Sequence, residues 1–141
     1  MGAMRQASTT VQLTTTGPGL MEITREVAVW VAGCGIGEGL LTLLCRHTSA
    51  SLTIHENAAP AARRDLERWL ARIAPRGADY EHDDEGPDDM PAHLRSVLTG
   101  ATLSIPVASG RMRLGTWQGV YLCEHRDASH RREIAVHLLG E

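Results

Sequence analysis

The chain has 141 residues, of which 43% are hydrophobic and 22% are charged, and its formal net charge is −3. This length and composition predict one domain over residues 1–141, with an ordinary hydrophobic core. The weak negative charge argues against binding to nucleic acid or to an anionic membrane surface, and no apolar run reaches the roughly 20 residues of a membrane span.

The 14 basic residues are all arginine, because the sequence contains no lysine. A lysine Schiff base, a lysine-anchored pyridoxal phosphate and a Walker lysine are therefore excluded. The three cysteines are odd in number and widely spaced, so they suggest neither a disulfide framework nor a thiolate zinc site. We expect a reducing, cytoplasmic setting.

The first part of the chain predicts two strands and a helix. Residues 1–9 are expected to be disordered or to be a remnant of an expression vector. Alternation of β-branched residues predicts a strand over 11–16, and a short strand is expected over 20–23. Thr24 is the expected N-cap of a helix that ends at a run of alternating glycines.

The middle of the chain predicts two more strands and a second helix. The strands cover residues 39–47 and 51–56, where apolar and polar residues alternate. Asn57 is expected to cap the helix, with Pro60 in its first turn. The buried stripe of this helix is expected to consist of Leu66, Trp69, Leu70 and Ile73.

An acidic loop rich in glycine and proline lies between Pro75 and Pro91. Loops of this length are often functional, and disorder is the competing interpretation. A short helix from Pro91 to Leu98 and strands over residues 101–107, 116–125 and 130–139 complete the chain. The order of elements predicts an α+β fold with a mostly antiparallel sheet of about seven strands and two or three helices.

The strand predicted over residues 116–125 carries polar groups on one face. Alternation places Thr116, Gln118 and Glu124 on the same side. In a strand buried on both faces, these groups need hydrogen-bond partners or a pocket. The alternative is a half-solvated strand whose core side chains are Trp117, Tyr121 and Cys123.

Two arginines, Arg111 and Arg113, precede that strand on a segment flanked by glycine. They either receive a phosphate group or lie in water. The residues alone leave both alternatives open.

Seven histidines are many for this length, and histidine is the commonest metal ligand. None stands at a local chelating interval, so a metal site would be assembled from distant segments. His47 at a strand end, His82 in the acidic loop and His93 near a helix start are the most suggestive positions. The other four are interpreted as surface or strand residues: His55, His125, His130 and His137.

Three imidazoles with a fourth position open can hold a divalent metal. Asp83, Asp84 or Glu85 would serve as a fourth ligand, as a hydrogen-bond partner of a ligand or as a base. A lone histidine in each of these settings is more often structural or solvated. A pair formed by Cys45 and His47 is conceivable as nucleophile and base, but an inert buried thiol is favoured.

Seven blocks of sequence occur in a characteristic order from about residue 10 to the C-terminus. They are His47-Thr-Ser-Ala-Ser-Leu-Thr53, Glu56-Asn57, Tyr80-Glu-His82, Asp89-Met-Pro-Ala-His-Leu94, Ser104-Ile-Pro-Val107, Gly115-Thr-Trp-Gln-Gly119 and Leu139-Gly-Glu141. Together they closely resemble the YjbQ family, whose members are also described as secondary thiamine-phosphate synthases. The resemblance implies a compact α+β fold and a homotrimer with candidate sites near subunit boundaries.

The resemblance also implies roles for single residues. A metal site, with zinc among the candidate ions, would consist of His47, His82 and His93. The family's motif has the same residue types at Ser49, Thr116 and Gln118, which with Arg111 are the expected substrate contacts. Asp84, which is chosen from the acidic loop and not from the family's motif, is the expected acid/base or supporting residue.

The activity that the resemblance implies joins a pyrimidine diphosphate to a thiazole phosphate. Two alternatives use the same residues and stay open. One is a metal-dependent hydrolase of a small phosphorylated metabolite, and the other is a non-catalytic trimer that binds a small ligand.

Overall fold

The computed structural model describes residues 2–141 of the chain, and these residues form eight strands and three helices. In chain order they are β1 (Arg5–Thr14), β2 (Gly19–Glu22), α1 (Thr24–Gly33), β3 (Gly39–Cys45), β4 (Ala50–Glu56), α2 (Pro60–Ile73), α3 (Asp89–Thr99), β5 (Thr102–Ala108), β6 (Arg111–Met112), β7 (Gln118–Glu124) and β8 (Arg131–Gly140). None of the helices in the described residues is long and apolar enough to cross a membrane.

The strands form two sheets, and every pairing between described strands is antiparallel. The larger sheet has the order β1-β8-β3-β5-β6, and the smaller sheet has the order β2-β7-β4. The predicted α+β fold with a mostly antiparallel arrangement is therefore confirmed. The strands divide between two sheets, whereas the sequence predicts a single sheet of about seven strands.

One hydrophobic core lies where the inner faces of the two sheets meet helix α1. On β3 the buried side chains are Leu41, Leu43 and Cys45, whereas Leu40 and Leu44 point outward and are 48% and 42% exposed. The same core cluster takes Leu52 from β4, Val120 and Leu122 from β7, Ile134, Val136 and Leu138 from β8, and Val27 and Val31 from α1. The period of two along each strand thus assigns one face to the core.

The outer face of the larger sheet is open within one chain. The strand register places Leu40 beside Leu139, and Leu44 beside Ala135, on this face. Leu139 is 45% exposed. The face therefore carries uncovered apolar side chains of a kind that subunit contacts often bury.

The first strand differs from its prediction. It begins at Arg5 because its backbone pairs with β8 along its whole length, from Arg5 opposite Gly140 to Thr14 opposite Arg131. The expectation of a disordered segment over residues 1–9 was therefore wrong for residues 5–9, and Met1 lies outside the described residues.

The predicted helix caps were also wrong. The N-cap of α1 is Ile23, and the Thr24 hydroxyl instead accepts a hydrogen bond from the backbone N–H of Val120 at 2.8 Å. The N-cap of α2 is Ala59, and the Asn57 amide donates to the Glu22 carboxylate at 3.2 Å. Both polar side chains connect elements that are distant in sequence, which local spacing cannot reveal.

Three aromatic or aliphatic side chains that were expected in the core lie at the surface. Trp69 and Ile73 of α2 are 42% and 51% exposed, and only Leu70 of that helix is buried. Trp117 is 63% exposed, because β7 starts at Gln118 and Trp117 lies in the preceding turn. Tyr121 and Cys123 are buried as expected.

Replacement of Gly39 by alanine tests how closely β3 and β8 approach. A Cβ atom on Gly39 would lie 2.3 Å from the Leu139 carbonyl oxygen and 3.0 Å from Cα of Gly140. We expect Gly39→Ala to lower the free energy of unfolding by at least about 2 kcal/mol, because backbone must move to relieve the overlap. Chemical denaturation measures the change.

The matched control is Gly33→Ala at the end of α1. A Cβ atom on Gly33 meets no atom within 4 Å, so this variant should be as stable as the parent or up to about 1 kcal/mol more stable. Equal stability of the two variants would contradict the close approach.

Candidate functional site

Four side chains that could bind a metal ion converge where the acidic loop meets the start of α3. They are His82 and Glu85 from the loop and Asp89 and His93 from the helix, and their ligand atoms all lie within 4.8 Å of one another. Asp89 and His93 are four residues apart, which places both on one face of α3. The loop supplies the other two.

Asp89 is the centre of this cluster. Its side chain is only 4% exposed, and its Oδ2 atom lies 2.8 Å from Nε2 of His82 and 3.0 Å from Nε2 of His93. Its Oδ1 atom accepts a hydrogen bond from Arg126 at 2.8 Å. Burial alone would raise the pKa of this carboxyl, but the contacts with His82, His93 and Arg126 hold the pKa below its ordinary value. Asp89 is therefore a carboxylate at neutral pH.

The ring of His93 is oriented by a backbone carbonyl. Its Nδ1 atom lies 2.8 Å from the carbonyl oxygen of Thr48, which can only accept, so Nδ1 carries a proton. The Nε2 atom then either carries a second proton or presents a lone pair toward Oδ2 of Asp89. Two facing lone pairs at 3.0 Å would repel, so the arrangement requires a proton or another cation between them.

His82 is surrounded by carboxylates. Besides Asp89, its Nε2 atom lies 3.2 Å from Oε2 of Glu85, and its Nδ1 atom lies 3.4 Å from Oδ1 of Asp84. The hydrogen bond with Asp89 raises the pKa of His82, and the nearby charges of Asp84 and Glu85 add to this effect. Asp84, the predicted acid/base residue, is thus next to the cluster, although its side chain is 80% exposed.

His47 is not one of the converging residues. Its Nε2 atom accepts a hydrogen bond from the backbone N–H of Glu133 at 2.7 Å, which uses the lone pair that a metal would need. Burial and the charge of Arg132 lower the pKa of His47, so the ring is neutral at pH 7. It lines a cavity of about 510 Å³ together with Thr48 and His93, and so flanks the cluster.

Ser49 lies on the same side of the molecule and is held by Arg132. The Nη2 atom of Arg132 lies 3.1 Å from the Ser49 hydroxyl oxygen and 3.2 Å from its carbonyl oxygen. Arg132 also binds both carboxylate oxygens of Glu124, at 2.9 and 2.5 Å. The buried Glu124 therefore has the hydrogen-bond partners that the first of the two sequence interpretations requires, and it also lines a cavity of about 340 Å³.

Arg111, Thr116 and Gln118 lie at the opposite end of the strands. Gln118 pairs with Glu56 at one end of β4 and β7, whereas Ser49 precedes the other end, where Ala50 pairs with Glu124. Seven residues of strand separate these ends by about 20 Å. The Gln118 side chain accepts a hydrogen bond from the backbone N–H of Gly115 at 2.8 Å.

The register of the larger sheet gives the same result for Arg111. It pairs with Ala108, and Val107 pairs with Gly39, so Arg111 lies near the start of β3. His47 follows the other end of that strand. Within one chain, the structure brings His82, His93, Asp84 and the flanking His47 and Ser49 together, and leaves Arg111, Thr116 and Gln118 apart from them.

Sequence reasoning missed Asp89, Arg126 and the Thr48 carbonyl. The spacing of Asp89 and His93 was a usable signal, but the helix was expected to start at Pro91, which left Asp89 outside it. Arg126 also binds Asp88, with 2.9 Å between Nε and Oδ2. This contact joins segments 38 residues apart, which no local pattern indicates.

Comparison with known proteins identifies relatives over nearly the whole chain. A sequence model described as "UPF0047 protein YjbQ-like" matches residues 9–141. The chain is 46% identical over 138 residues to a UPF0047 protein of Synechocystis sp., covering 97% of this chain and 94% of that protein. It is also 46% identical over 133 residues to the UPF0047 protein YjbQ of Salmonella typhimurium, covering 94% and 96% of the two chains.

Solved structures show the same fold. A crystal structure of an uncharacterized conserved protein of the YjbQ/UPF0047 family from Clostridium acetobutylicum superposes with a TM-score of 0.85 at 32% identity, over 92% of this chain and 98% of that one. A protein of unknown function from Sulfolobus solfataricus P2 has a TM-score of 0.91 at 24% identity, over 99% and 100% of the two chains, and supports the fold alone.

The buried pair of Glu124 and Arg132 predicts a dependence of stability on pH. Burial would raise the pKa of Glu124, but hydrogen bonds from Arg132, from Thr15 and from the backbone N–H of Arg126 lower it below the ordinary value of about 4.3. This stabilisation is therefore complete above the ordinary pKa and is lost as the pH falls through the lowered value. We expect Glu124→Gln to cost about 3–5 kcal/mol at pH 7, because Arg132 is left unpaired, and less at acidic pH.

Urea denaturation between pH 7 and pH 3 measures this difference. Glu133→Gln is the control, because Glu133 pairs with Arg46 at the surface with side chains 37% and 55% exposed, and its loss should cost less than about 1 kcal/mol. If the loss of unfolding free energy caused by Glu124→Gln stayed constant down to pH 3, the charge of the Glu124 carboxylate would not be what stabilises the fold.

Proposed function

The chain belongs to the YjbQ-like UPF0047 family, and from that premise we propose that it is a divalent-metal-binding enzyme with thiamine-phosphate synthase-like activity on small phosphorylated metabolites. The observation that supports this proposal most strongly is the sharing of one buried Asp89 oxygen by two imidazole nitrogens, those of His82 and His93. Two imidazole nitrogens that face one carboxylate oxygen form a donor set that suits zinc and similar divalent ions.

The residues around the cluster fit a metal better than a purely structural hydrogen-bond network. A ligating histidine usually donates its second ring N–H to a carbonyl or carboxylate, as His93 does to Thr48. A ligating carboxylate is in turn hydrogen-bonded, as Asp89 is by Arg126. In this proposal His82, Asp89 and His93 hold the ion, with Glu85 as a fourth donor.

A bound divalent ion would neutralise the charge of a diphosphate leaving group and organise phosphate oxygens. The chain's own residues have separate roles. Thr48 and Arg126 orient His93 and Asp89, and Asp84 lies against the second nitrogen of His82. The cavity beside His93, which His47 and Val97 also line, offers room for the organic part of a substrate.

The remaining expected substrate contacts require a second subunit. Arg111, Thr116 and Gln118 lie about 20 Å from the histidine end of the same chain, so one chain alone cannot present both groups to one small molecule. We therefore propose a homotrimer in which the strand end carrying Gln118 of one subunit faces the histidine cluster of the next. The uncovered apolar face that includes Leu40, Leu44 and Leu139 supports burial between copies.

Metal content and turnover together test the metal site. We expect protein purified without chelator or a polyhistidine tag to carry near-stoichiometric divalent metal by elemental analysis. His82→Ala should lose most of this metal, because one of the proposed ligands is removed. The variant should stay folded, since the His82 side chain is 40% exposed and lies outside the core. Thiamine phosphate formation from the two phosphorylated halves should fall by at least about 100-fold in the same variant.

The control is His130→Ala, which changes a histidine in the loop before β8 whose Nδ1 atom lies 2.8 Å from the Ala128 carbonyl oxygen, and this variant should keep both metal and activity. Equal metal content in His82→Ala and in the parent would contradict the site. Metal-dependent turnover of a phosphoester panel without thiamine phosphate formation would favour the hydrolase. Absence of both metal and turnover would favour the non-catalytic ligand-binding trimer.

Mixed trimers test whether two subunits share a site. His93→Ala and Gln118→Ala should each be inactive alone, because each removes one half of every site. Randomly mixed trimers of the two, made by co-expression, should regain about one quarter of the parent activity, since only sites with both halves intact can work. Failure to regain activity, with mixed trimers verified by mass, would contradict the shared site.

A further inference from the structure

A second cavity, of about 340 Å³, lies between α2, α3 and the end of β7. Three arginines line it, Arg68, Arg76 and Arg95, together with Glu67, Glu124 and His125. Lysine is absent from the chain, so these guanidinium groups are the kind of phosphate ligand that the sequence has available. None of the three arginines was a candidate in the sequence or in the proposed enzyme site.

Arg95 is the arginine of this cavity that lacks an anionic partner. Its Nη2 atom donates to the carbonyl oxygen of Ala74 at 2.8 Å, while its Nε atom is buried without any hydrogen-bond partner. Among residues 2–141 no carboxylate lies within ion-pair distance of it. Burial and the neighbouring charge of Arg76 both lower the pKa of Arg95. A partly desolvated cation facing another cation is costly unless an anion joins them.

The other charges at the cavity are already balanced. Arg76 pairs with Asp127, and Arg68 pairs with Asp65. Glu67 lies 3.5 Å from Arg63. The Glu124 carboxylate is fully occupied by Arg132, Thr15 and two backbone N–H groups. The carboxylates on the wall therefore leave the charge of Arg95 uncompensated.

His125 forms a neutral, ordered part of the wall. Its Nε2 atom lies 2.8 Å from the Ser51 hydroxyl, which lies 2.5 Å from the Thr99 hydroxyl. The Thr99 hydroxyl donates to the backbone carbonyl of Arg95 at 2.8 Å. Burial, with the charge of Arg95, lowers the pKa of His125 to about 4. Hydrogen bonds thus connect His125, just after β7, to Arg95 on α3.

The cavity is separate from the histidine cluster. Arg95 and His93 are two residues apart on α3, which places their side chains about 200° apart around the helix axis. His93 points toward the Thr48 carbonyl, and Arg95 points toward the Ala74 carbonyl at the end of α2. The two sites therefore lie on opposite sides of one helix.

We propose that this cavity binds a small phosphate-type anion, either inorganic phosphate or the phosphate group of a small monoester, through the Arg95 guanidinium. The planar fork of arginine can donate two parallel hydrogen bonds to such an anion. The anion would accept hydrogen bonds from the Nη groups of Arg95 and would offset the neighbouring positive charges of Arg95 and Arg76. The proposal does not depend on metal binding or on the proposed enzyme activity.

Phosphate binding is measured on protein stripped of metal with chelator, so that coordination to a metal ion cannot contribute. Isothermal titration with inorganic phosphate, against chloride at equal ionic strength, should show saturable binding at one site per chain. Arg95→Met keeps an unbranched apolar stem and removes the guanidinium group with its charge, and it should weaken binding by at least about 10-fold. Arg64→Met, on the exposed face of α2, should bind as the parent does.

Thermal unfolding separates lost binding from lost folding. The melting temperature of the parent should rise with phosphate, and that of Arg95→Met should not, because the anion stabilises only the state that binds it. Ala71→Glu leaves Arg95 in place and adds a carboxylate to the cavity wall. This negative charge should repel phosphate, so the rise in melting temperature should be abolished in this variant as well. It serves as the test if Arg95→Met fails to fold.

Two outcomes would overturn the proposal. One is the absence of saturable phosphate binding by the parent, and the other is undiminished binding by Arg95→Met or Ala71→Glu. Binding retained in His82→Ala would support a site distinct from the histidine cluster. A titration with methyl phosphate distinguishes the sources, since tighter binding than inorganic phosphate identifies a monoester and weaker binding identifies free phosphate.

Discussion

The buried ion pair between Glu124 and Arg132 is the contact on which the rest of the structure depends. Glu124 ends β7 in the smaller sheet and Arg132 is the second residue of β8 in the larger sheet, and their side chains are 2% and 5% exposed. A buried pair stabilises a fold only if its other hydrogen-bonding positions are filled. Here Thr15 and the backbone N–H groups of residues 125 and 126 fill those of the carboxylate, so the pair fixes the two sheets relative to each other.

The candidate metal centre follows from that pair through the next residue along the chain. Glu124 accepts from the backbone of Arg126, and the Arg126 side chain reaches Asp88 and Asp89 at the start of α3. Asp89 then orients His82 and His93. Because the start of α3 is anchored in this way, the acidic loop that leads to it holds His82 and Glu85 within 4.8 Å of Asp89 and His93, although the loop has no regular structure.

The absence of lysine has a structural counterpart in these contacts. Arg132 serves both oxygens of Glu124 and two oxygens of Ser49 at once, and Arg126 serves two carboxylates and the Glu85 carbonyl. A guanidinium offers five donors in a fixed plane, whereas an ammonium has three on a flexible stem. Arg95 is a third guanidinium that is removed from solvent in part, and it differs from Arg126 and Arg132 in having no carboxylate partner among the described residues.

The sequence by itself determined the alternation that builds the strands, the positions of the helices and the identity of the histidines in the cluster. Period-two patterns are local, so the assignment of Leu41, Leu43, Ile134 and Val136 to shared strand faces needs only the residues around them. The blocks shared with the family pointed to His47, His82 and His93, of which only His82 and His93 lie in the cluster. These properties depend on residues close together in the chain or on residue type.

Only the tertiary structure decided which distant residues meet. Arg126 and Thr48 complete the histidine cluster through contacts that span 37 residues or more, and hydrophobic periodicity carries no information about such contacts. The exposure of Trp69, Ile73 and Trp117 has the same origin, because an apolar residue is buried only where another element covers it. The strand register likewise placed Gln118 and Ser49 at opposite ends of one strand pair, a separation that follows from hydrogen bonding between strands.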